Sequence, residues 1–224
     1  AMKSESVSSS LSESLKTSVS QSESISASQS VRGGGWGTWD PCWMLGHGLD
    51  GSTVGVVGLG RIGMAVARRL APFGVKRFLY SGHSPKNEAN EIGAEFVDFD
   101  DLLSNSDFVL GCCALTKENQ GLFDKDAFLK MKSNAIFVNT SRGGLVNQTD
   151  LYQALVNHQI AAAGLDVTSP EPLPTDSPLL TLKNCVILPH IGSATEMARG
   201  AMSALTGRNI LSFLRGEEMP CRIR

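Results

Sequence analysis

The sequence predicts an α/β domain built on a doubly wound parallel sheet with helices on both faces. Three observations carry that expectation. Short apolar runs recur at 53–57, 77–80, 108–112, 135–138, 161–165 and 185–188. Stretches with helical spacing separate them at 62–70, 128–131, 151–157 and 194–214, and Ser84-Pro85 offers a cap and first residue for one more. Between the first strand and the first helix stands Gly58-Leu59-Gly60-Arg61-Ile62-Gly63. Near-continuous apolar strands alternating with helices are what a sheet buried on both faces requires.

Residues 1–32 differ from everything after them. Fourteen of the first thirty residues are serine, so the segment has little to bury and is expected to be disordered. Glu5, Glu13 and Glu23, with no arginine among those thirty residues, argue against a transit peptide. Gly33-Gly34-Gly35 reads as a hinge into Trp36-Gly37-Thr38-Trp39-Asp40-Pro41-Cys42-Trp43, which holds all three tryptophans of the chain. An arm over about 33–50 that packs on a second copy is the expectation, because so much exposed aromatic surface is unfavourable on a monomer. The nucleotide-binding domain is expected to fill 33–224.

The bulk numbers exclude several classes. A net charge of −2 and a pI near 6.1, with no basic stripe, give no footprint for nucleic acid. No apolar run approaches the roughly 20 residues of a membrane span. Five scattered cysteines have no metal-ligand spacing, and their odd number without a secretory signal favours a reducing compartment, here the cytoplasm. No metal site is expected.

The glycine-rich loop has the context that gives its pattern meaning, following a strand and opening a helix. Gly58 permits the tight turn, Gly60 lets the backbone approach a pyrophosphate, and Gly63 lets the helix pack on the strand. Leu59, Arg61 and Ile62 complete the expected phosphate cradle at a helix N-terminus. At the end of the second strand the chain reads Ser81-Gly82-His83-Ser84-Pro85, without the acid that commonly bonds a ribose 2′-hydroxyl. Hydroxyls, His83 and Lys86 suit a 2′-phosphate instead, so NADP(H) is favoured over NAD(H).

Three stretches place polar residues at strand ends, the edge where open α/β sheets bind ligands: Asn139-Thr140-Ser141-Arg142-Gly143-Gly144, Asp166-Val167-Thr168-Ser169-Pro170-Glu171-Pro172, and Pro189-His190-Ile191-Gly192-Ser193-Ala194-Thr195. Arg142, Glu171 and His190 bring a cation, a carboxylate and an imidazole. That combination suits proton-coupled reduction of a carbonyl on an anionic substrate. His47 and His158 lack such company and read as ordinary loop or surface residues.

With these motifs the chain resembles the D-isomer-specific 2-hydroxyacid dehydrogenases, and within them the branch that reduces glyoxylate and hydroxypyruvate. The resemblance runs from about Gly34 to the C-terminus. It implies a Rossmann-type fold and hydride transfer between NADP(H) and a small 2-oxo or 2-hydroxy acid, glyoxylate to glycolate or hydroxypyruvate to D-glycerate. It implies that Arg142 grips the substrate carboxylate and carbonyl, that His190 is the acid/base, and that Glu171 favours its charged form. It places Asp166 on the nicotinamide side, Ala114, Leu115, Thr116 and Thr140 along the cofactor path, and Gly192 where the backbone lies close to the cofactor. Ser193 falls beside the substrate, and Trp39 reaches a partner's substrate pocket across a homodimer.

The resemblance also implies a substrate lobe built largely from residues ahead of the nucleotide domain, and helical sequence just before Gly34. Here the serine-rich segment stands in those places. The expectation is a truncated form, an incomplete gene model or an isolated domain that binds cofactor and turns over hydroxypyruvate or glyoxylate poorly or not at all. The alternative is a catalytically silent, cofactor-loaded interaction protein on the same fold, resembling corepressors.

Overall fold

A computed structural model describes residues 28–222. Seven parallel strands form one sheet: β1 Thr53–Val57, β2 Arg77–Ser81, β3 Glu95–Phe96, β4 Phe108–Gly111, β5 Ile136–Asn139, β6 Ala162–Leu165 and β7 Cys185–Ile187. Their spatial order is β3-β2-β1-β4-β5-β6-β7. The chain therefore winds outward in one direction from β1, then returns to β4 on its other side. The strand order reverses between β1 and β4, and a crevice opens there at the carboxyl ends of the strands.

Side chains alternate between two cores, as a period of two demands. On β1, Val54 and Val56 face one core and Val57 the other; on β5, Ile136 and Val138 oppose Phe137 in the same way. Helix α1, Arg61–Leu70, covers the first face and buries Met64, Val66, Ala67 and Leu70. Helices α2 Phe99–Asn105, α3 Lys125–Lys130 and α4 Gln148–Val156 supply Leu102, Leu103, Phe128, Leu151 and Leu155 to the second. Phe137 is fully buried there, with its ring centroid 4.6 Å from Phe123 and 5.6 Å from Phe128. A last helix, α5 Glu196–Leu214, buries Ala198 alone.

The six expected strands and four expected helices all form, with ends shifted by a few residues. Others differ. No α-helix starts at Ser84-Pro85: Lys86 is extended, and its N–H donates to the Tyr80 hydroxyl at 2.8 Å, which holds it out of a helical turn. A 3₁₀ helix, Asn87–Ile92, follows instead and ends at left-handed Gly93. Helix α2 was not expected, although Phe99, Leu102 and Leu103 have the i, i+3, i+4 spacing of one apolar face.

The glycine triplet is a helix cap rather than a hinge. Residues 28–32 are helical, although they lie in the segment expected to be disordered and where helical sequence looked replaced. Gly34 is left-handed at φ 71°, the Gly34 N–H donates to Val31 O, and the Gly35 N–H donates to Ser30 O at 2.7 Å. That paired bonding around a left-handed glycine satisfies the last carbonyls of a helix. The expectation of disorder for residues 1–27 lies outside the described residues.

Candidate active site

The glycine loop divides its work among three positions. Gly58 is at φ 95°, and a Cβ there would stand 2.6 Å from the Cys113 backbone. At Gly63 a Cβ would meet Gly58 O at 2.5 Å. These two glycines let β1, α1 and β4 close together. Gly60 is different, because nothing lies within 4 Å of the place its Cβ would occupy. It precedes α1 in an extended conformation, no side chain caps the helix, and the first turn holds no acid. The free N–H groups of that turn face an open, uncapped space, which fits the pyrophosphate of a dinucleotide.

Ser81, Gly82, His83, Ser84 and Pro85 lie beside this loop at the end of β2; Gly82 has open space around it and His83 is exposed. On the other side, Ala114, Leu115 and Thr116 form an exposed loop after β4. Asn119 shapes it, accepting from the Thr116 N–H at 2.7 Å and donating to Ala114 O at 2.8 Å. Glu118 on this loop is held below its ordinary range, first by a bond from Thr116 and also by the charge of His83. Glu118 thus brings a carboxylate near His83, at the end of β2 where the strand itself carries none. Cys112 and Cys113, directly after β4, are thiols pushed up by burial, Cys112 to about 12.

The three polar stretches converge at the ends of β5, β6 and β7. Asn139, fully buried, organises the first. Its Nδ2 donates to Arg142 O at 2.9 Å, and its Oδ1 accepts from the Ser141 N–H at 3.1 Å and the Ser141 hydroxyl at 2.9 Å. Arg142 is exposed and extended, with Nη1 donating to Ser141 O at 2.6 Å. Gly143 has no room for a side chain, since a Cβ would collide with the Thr168 backbone.

Glu171 folds back on its own turn. Its Oε1 accepts from the Thr168 N–H at 3.0 Å, and its Oε2 lies 2.9 Å from His190 Nδ1. The carboxyl is held below its ordinary range, first by the His190 bond, with burial opposing and with Thr168 and the Arg142 charge assisting. An ionised carboxylate only accepts, so Nδ1 must carry a hydrogen and Nε2 is left free of this pair. His190 itself has φ 54°, an uncommon conformation for a residue with a side chain. Asp166, 4% exposed, holds that turn in place: its two oxygens accept from the Ile191 and Gly192 N–H groups, each at 2.8 Å.

The expected site residues Arg142, Asp166, Glu171, His190 and Gly192 are brought by the fold to one edge. Ser193 and Thr140 are partly exposed at that edge. Trp39 is 83% exposed on the arm. Asn139, Gly143 and Thr168 stand within the motifs without an expected role, and Gln148 lies outside them. A polar residue ending an apolar strand, as Asn139 does, was the available signal. His47 lies at the opposite end of the sheet, in a shallow crevice with Asp50, Ser52 and Asp107. No helix among the described residues is long and apolar enough to cross a membrane.

Comparison with known proteins agrees with this geometry. The glyoxylate reductase/hydroxypyruvate reductase of Homo sapiens is 60% identical over 197 residues, which are 88% of this chain and 60% of that protein. The glyoxylate reductase of Thermococcus litoralis is 45% identical over 194 residues, 85% of this chain and 58% of its own. The chain thus spans about 60% of the length of the curated relatives it matches. A crystal structure of a Thermus thermophilus protein superposes with a TM-score of 0.89 at 38% identity, covering 99% of this chain and 68% of that one. The family model for the NAD-binding domain of D-isomer specific 2-hydroxyacid dehydrogenases matches residues 20–192, and the chain belongs to that family.

Proposed function

We propose that this chain carries the cofactor site and the acid/base pair of an oxidoreductase that reduces small 2-oxo acids, glyoxylate and hydroxypyruvate foremost, with NADPH. The observation that carries the reading is the Glu171–His190 pair at 2.9 Å, on the same sheet edge as an uncapped glycine loop. When bound, the cofactor supplies a hydride to the carbonyl carbon. Arg142 presents a planar fork of donors to the substrate carboxylate and carbonyl oxygen. His190 gives the carbonyl oxygen its proton from Nε2, because Nδ1 is committed to Glu171. Glu171 balances the imidazolium and fixes the ring, and Asp166 fixes the backbone that carries the ring while lying where the nicotinamide is expected. Ser193 borders the substrate.

The preference for NADPH rests on Ser81, His83 and Ser84, which can meet a 2′-phosphate, and on the absence of a carboxylate at the end of β2. The exposed tryptophans Trp36, Trp39 and Trp43 support a homodimer in which Trp39 reaches the partner's pocket. Four free thiols, Cys42, Cys112, Cys113 and Cys185, suit a reducing compartment such as the cytoplasm.

Titrating the chain with NADPH and with NADH, followed by nucleotide fluorescence, tests the cofactor reading. NADPH is expected to bind more tightly, and His83→Glu to reverse the order. Equal binding of both would remove the preference, and binding of neither would remove the reading. Sedimentation showing monomer alone would remove the role of Trp39.

A further inference from the structure

The proposed chemistry leaves one well-made contact unused. Gln148, the first residue of α4, bonds Ser169 twice: its Nε2 donates to Ser169 O at 2.7 Å, and its Oε1 accepts from the Ser169 N–H at 3.0 Å. The two residues are 21 positions apart, so this is a tertiary clamp and not a local turn. What it clamps is the turn that aims Glu171. Ser169 stands between Thr168, whose N–H holds Glu171 Oε1, and Pro170, whose carbonyl accepts from the Thr168 hydroxyl at 2.9 Å.

Gln148 also belongs to the Arg142 segment. Asn139 ties down Ser141 and Arg142, a single 3₁₀ turn covers Gly143–Leu145, and Asn147 caps α4 through the Thr149 and Asp150 N–H groups. Gly143 lies directly against the Thr168 backbone. The segment from 139 to 148 therefore meets the 168–171 turn at two places, Gly143 on Thr168 and Gln148 on Ser169. Neither contact reaches the reacting atoms.

We infer that Gln148 is a positioning residue that locks the Glu171 turn onto the Arg142 segment, so that Glu171 meets His190 Nδ1 and leaves Nε2 as the exchanging nitrogen. The inference rests on the acid/base reading of His190. A free turn would let the carboxylate leave the ring, and both tautomers of the neutral imidazole would then be populated. A bidentate amide-to-backbone pair suits this role because it fixes orientation as well as distance.

The experiment measures the imidazole ¹⁵N shifts of His190 in the full 224-residue chain at a pH where the ring is neutral. With only four histidines in the sequence, a His190→Gln sample assigns the signals. The unaltered chain is expected to show one dominant tautomer, with hydrogen on Nδ1. Glu171→Ala, which removes the acceptor altogether, is expected to lose that preference, and Gln148→Ala to lose it as well, with NADPH binding by the Gln148 variant unchanged. Gln148→Glu keeps the bond from the Ser169 N–H and loses the donor to Ser169 O, so an intermediate loss is expected. That variant decides the matter should Gln148→Ala not fold. If Glu171→Ala leaves the tautomer unchanged, the acid/base reading itself fails. If Glu171→Ala changes it and the folded Gln148 variants do not, Gln148 is merely structural and the inference is overturned.

Discussion

Helices α1 and α5 belong to one chain yet stand in opposite relations to it. Six of the ten residues of α1 are buried, against one of the nineteen in α5. The apolar residues of α1 fall on one face, which the β1–β2–β4 side of the sheet receives. Those of α5 are spread around the helix, and Met197, Phe213 and Leu214 are each at least 70% exposed. The described residues thus cover α1, whereas they leave most of α5 uncovered. Stability and cofactor binding should respond to α1 and its neighbours, and stability should barely register α5.

A matched pair of leucines breaks or sharpens that contrast most directly. Leu70 in α1 is 6% exposed and belongs to the core beneath the sheet. Leu70→Ala is expected to cost about 2–5 kcal/mol of unfolding free energy, the range for deleting a buried leucine side chain. Urea denaturation measures it, and a cost below about 1 kcal/mol would show that this core is looser than its burial implies.

Asp166→Ala comes next, because it strikes where fold and site meet. The substitution leaves the Ile191 and Gly192 N–H groups without their acceptors and frees a backbone that keeps His190 at φ 54°. About 1–3 kcal/mol is expected from the lost acceptors. Loss of the Glu171–His190 pair should accompany it, visible as a changed His190 spectrum. A destabilised chain with an intact pair would mean that Asp166 supports the sheet edge and not the imidazole.

Most of the sheet was legible because its strands are short apolar runs with glycine or polar residues at their ends. The polar groups that gather at the strand ends were legible for a similar reason: Arg142, Glu171 and His190 are residue types that stand out after apolar sequence. The contacts that aim them were not, even where, as with Asp166, the residue itself was expected at the site. Asp166 acts on backbone 25 residues away, and Gln148 on backbone 21 residues away. Such contacts leave no periodicity, because the acceptor or donor is a main-chain group that every residue carries. The Ser84-Pro85 helix failed on local grounds that looked sound, since a tertiary bond from Lys86 N–H to Tyr80 overrode them. The glycine triplet failed in the other direction, as three flexible residues serve to finish a helix.

The Glu171–His190 pair gives a smaller, pH-dependent effect. Glu171 is held below its ordinary value of 4.5, so the folded state favours the ionised carboxylate. Its contribution is complete above that ordinary value and is lost as the pH falls through the lowered one. The unaltered chain should therefore lose stability on acidification through this window more steeply than Glu171→Gln, which has no carboxylate to protonate. Denaturant midpoints from neutral to acid pH compare the two chains, and parallel acid limbs would place the pair's contribution near zero, as for many exposed ion pairs.

The smallest effect belongs to the other leucine. Leu211 lies on α5 at 51% exposure, and the same Leu→Ala change there removes atoms that already meet water. Surface substitutions of this kind fall within about ±0.5 kcal/mol. Alanine also has the best helix propensity, which offsets part of what little contact is lost. Leu211→Ala is thus expected to leave the urea midpoint and NADPH binding where they were. Because residue type and substitution match Leu70→Ala, the difference between the two measures what the sheet gives α1 and does not give α5. A Leu211→Ala cost near that of Leu70→Ala would mean that α5 is buried in solution, by a second copy of the chain. The cost should then fall on dilution, since association stabilises a folded state by mass action.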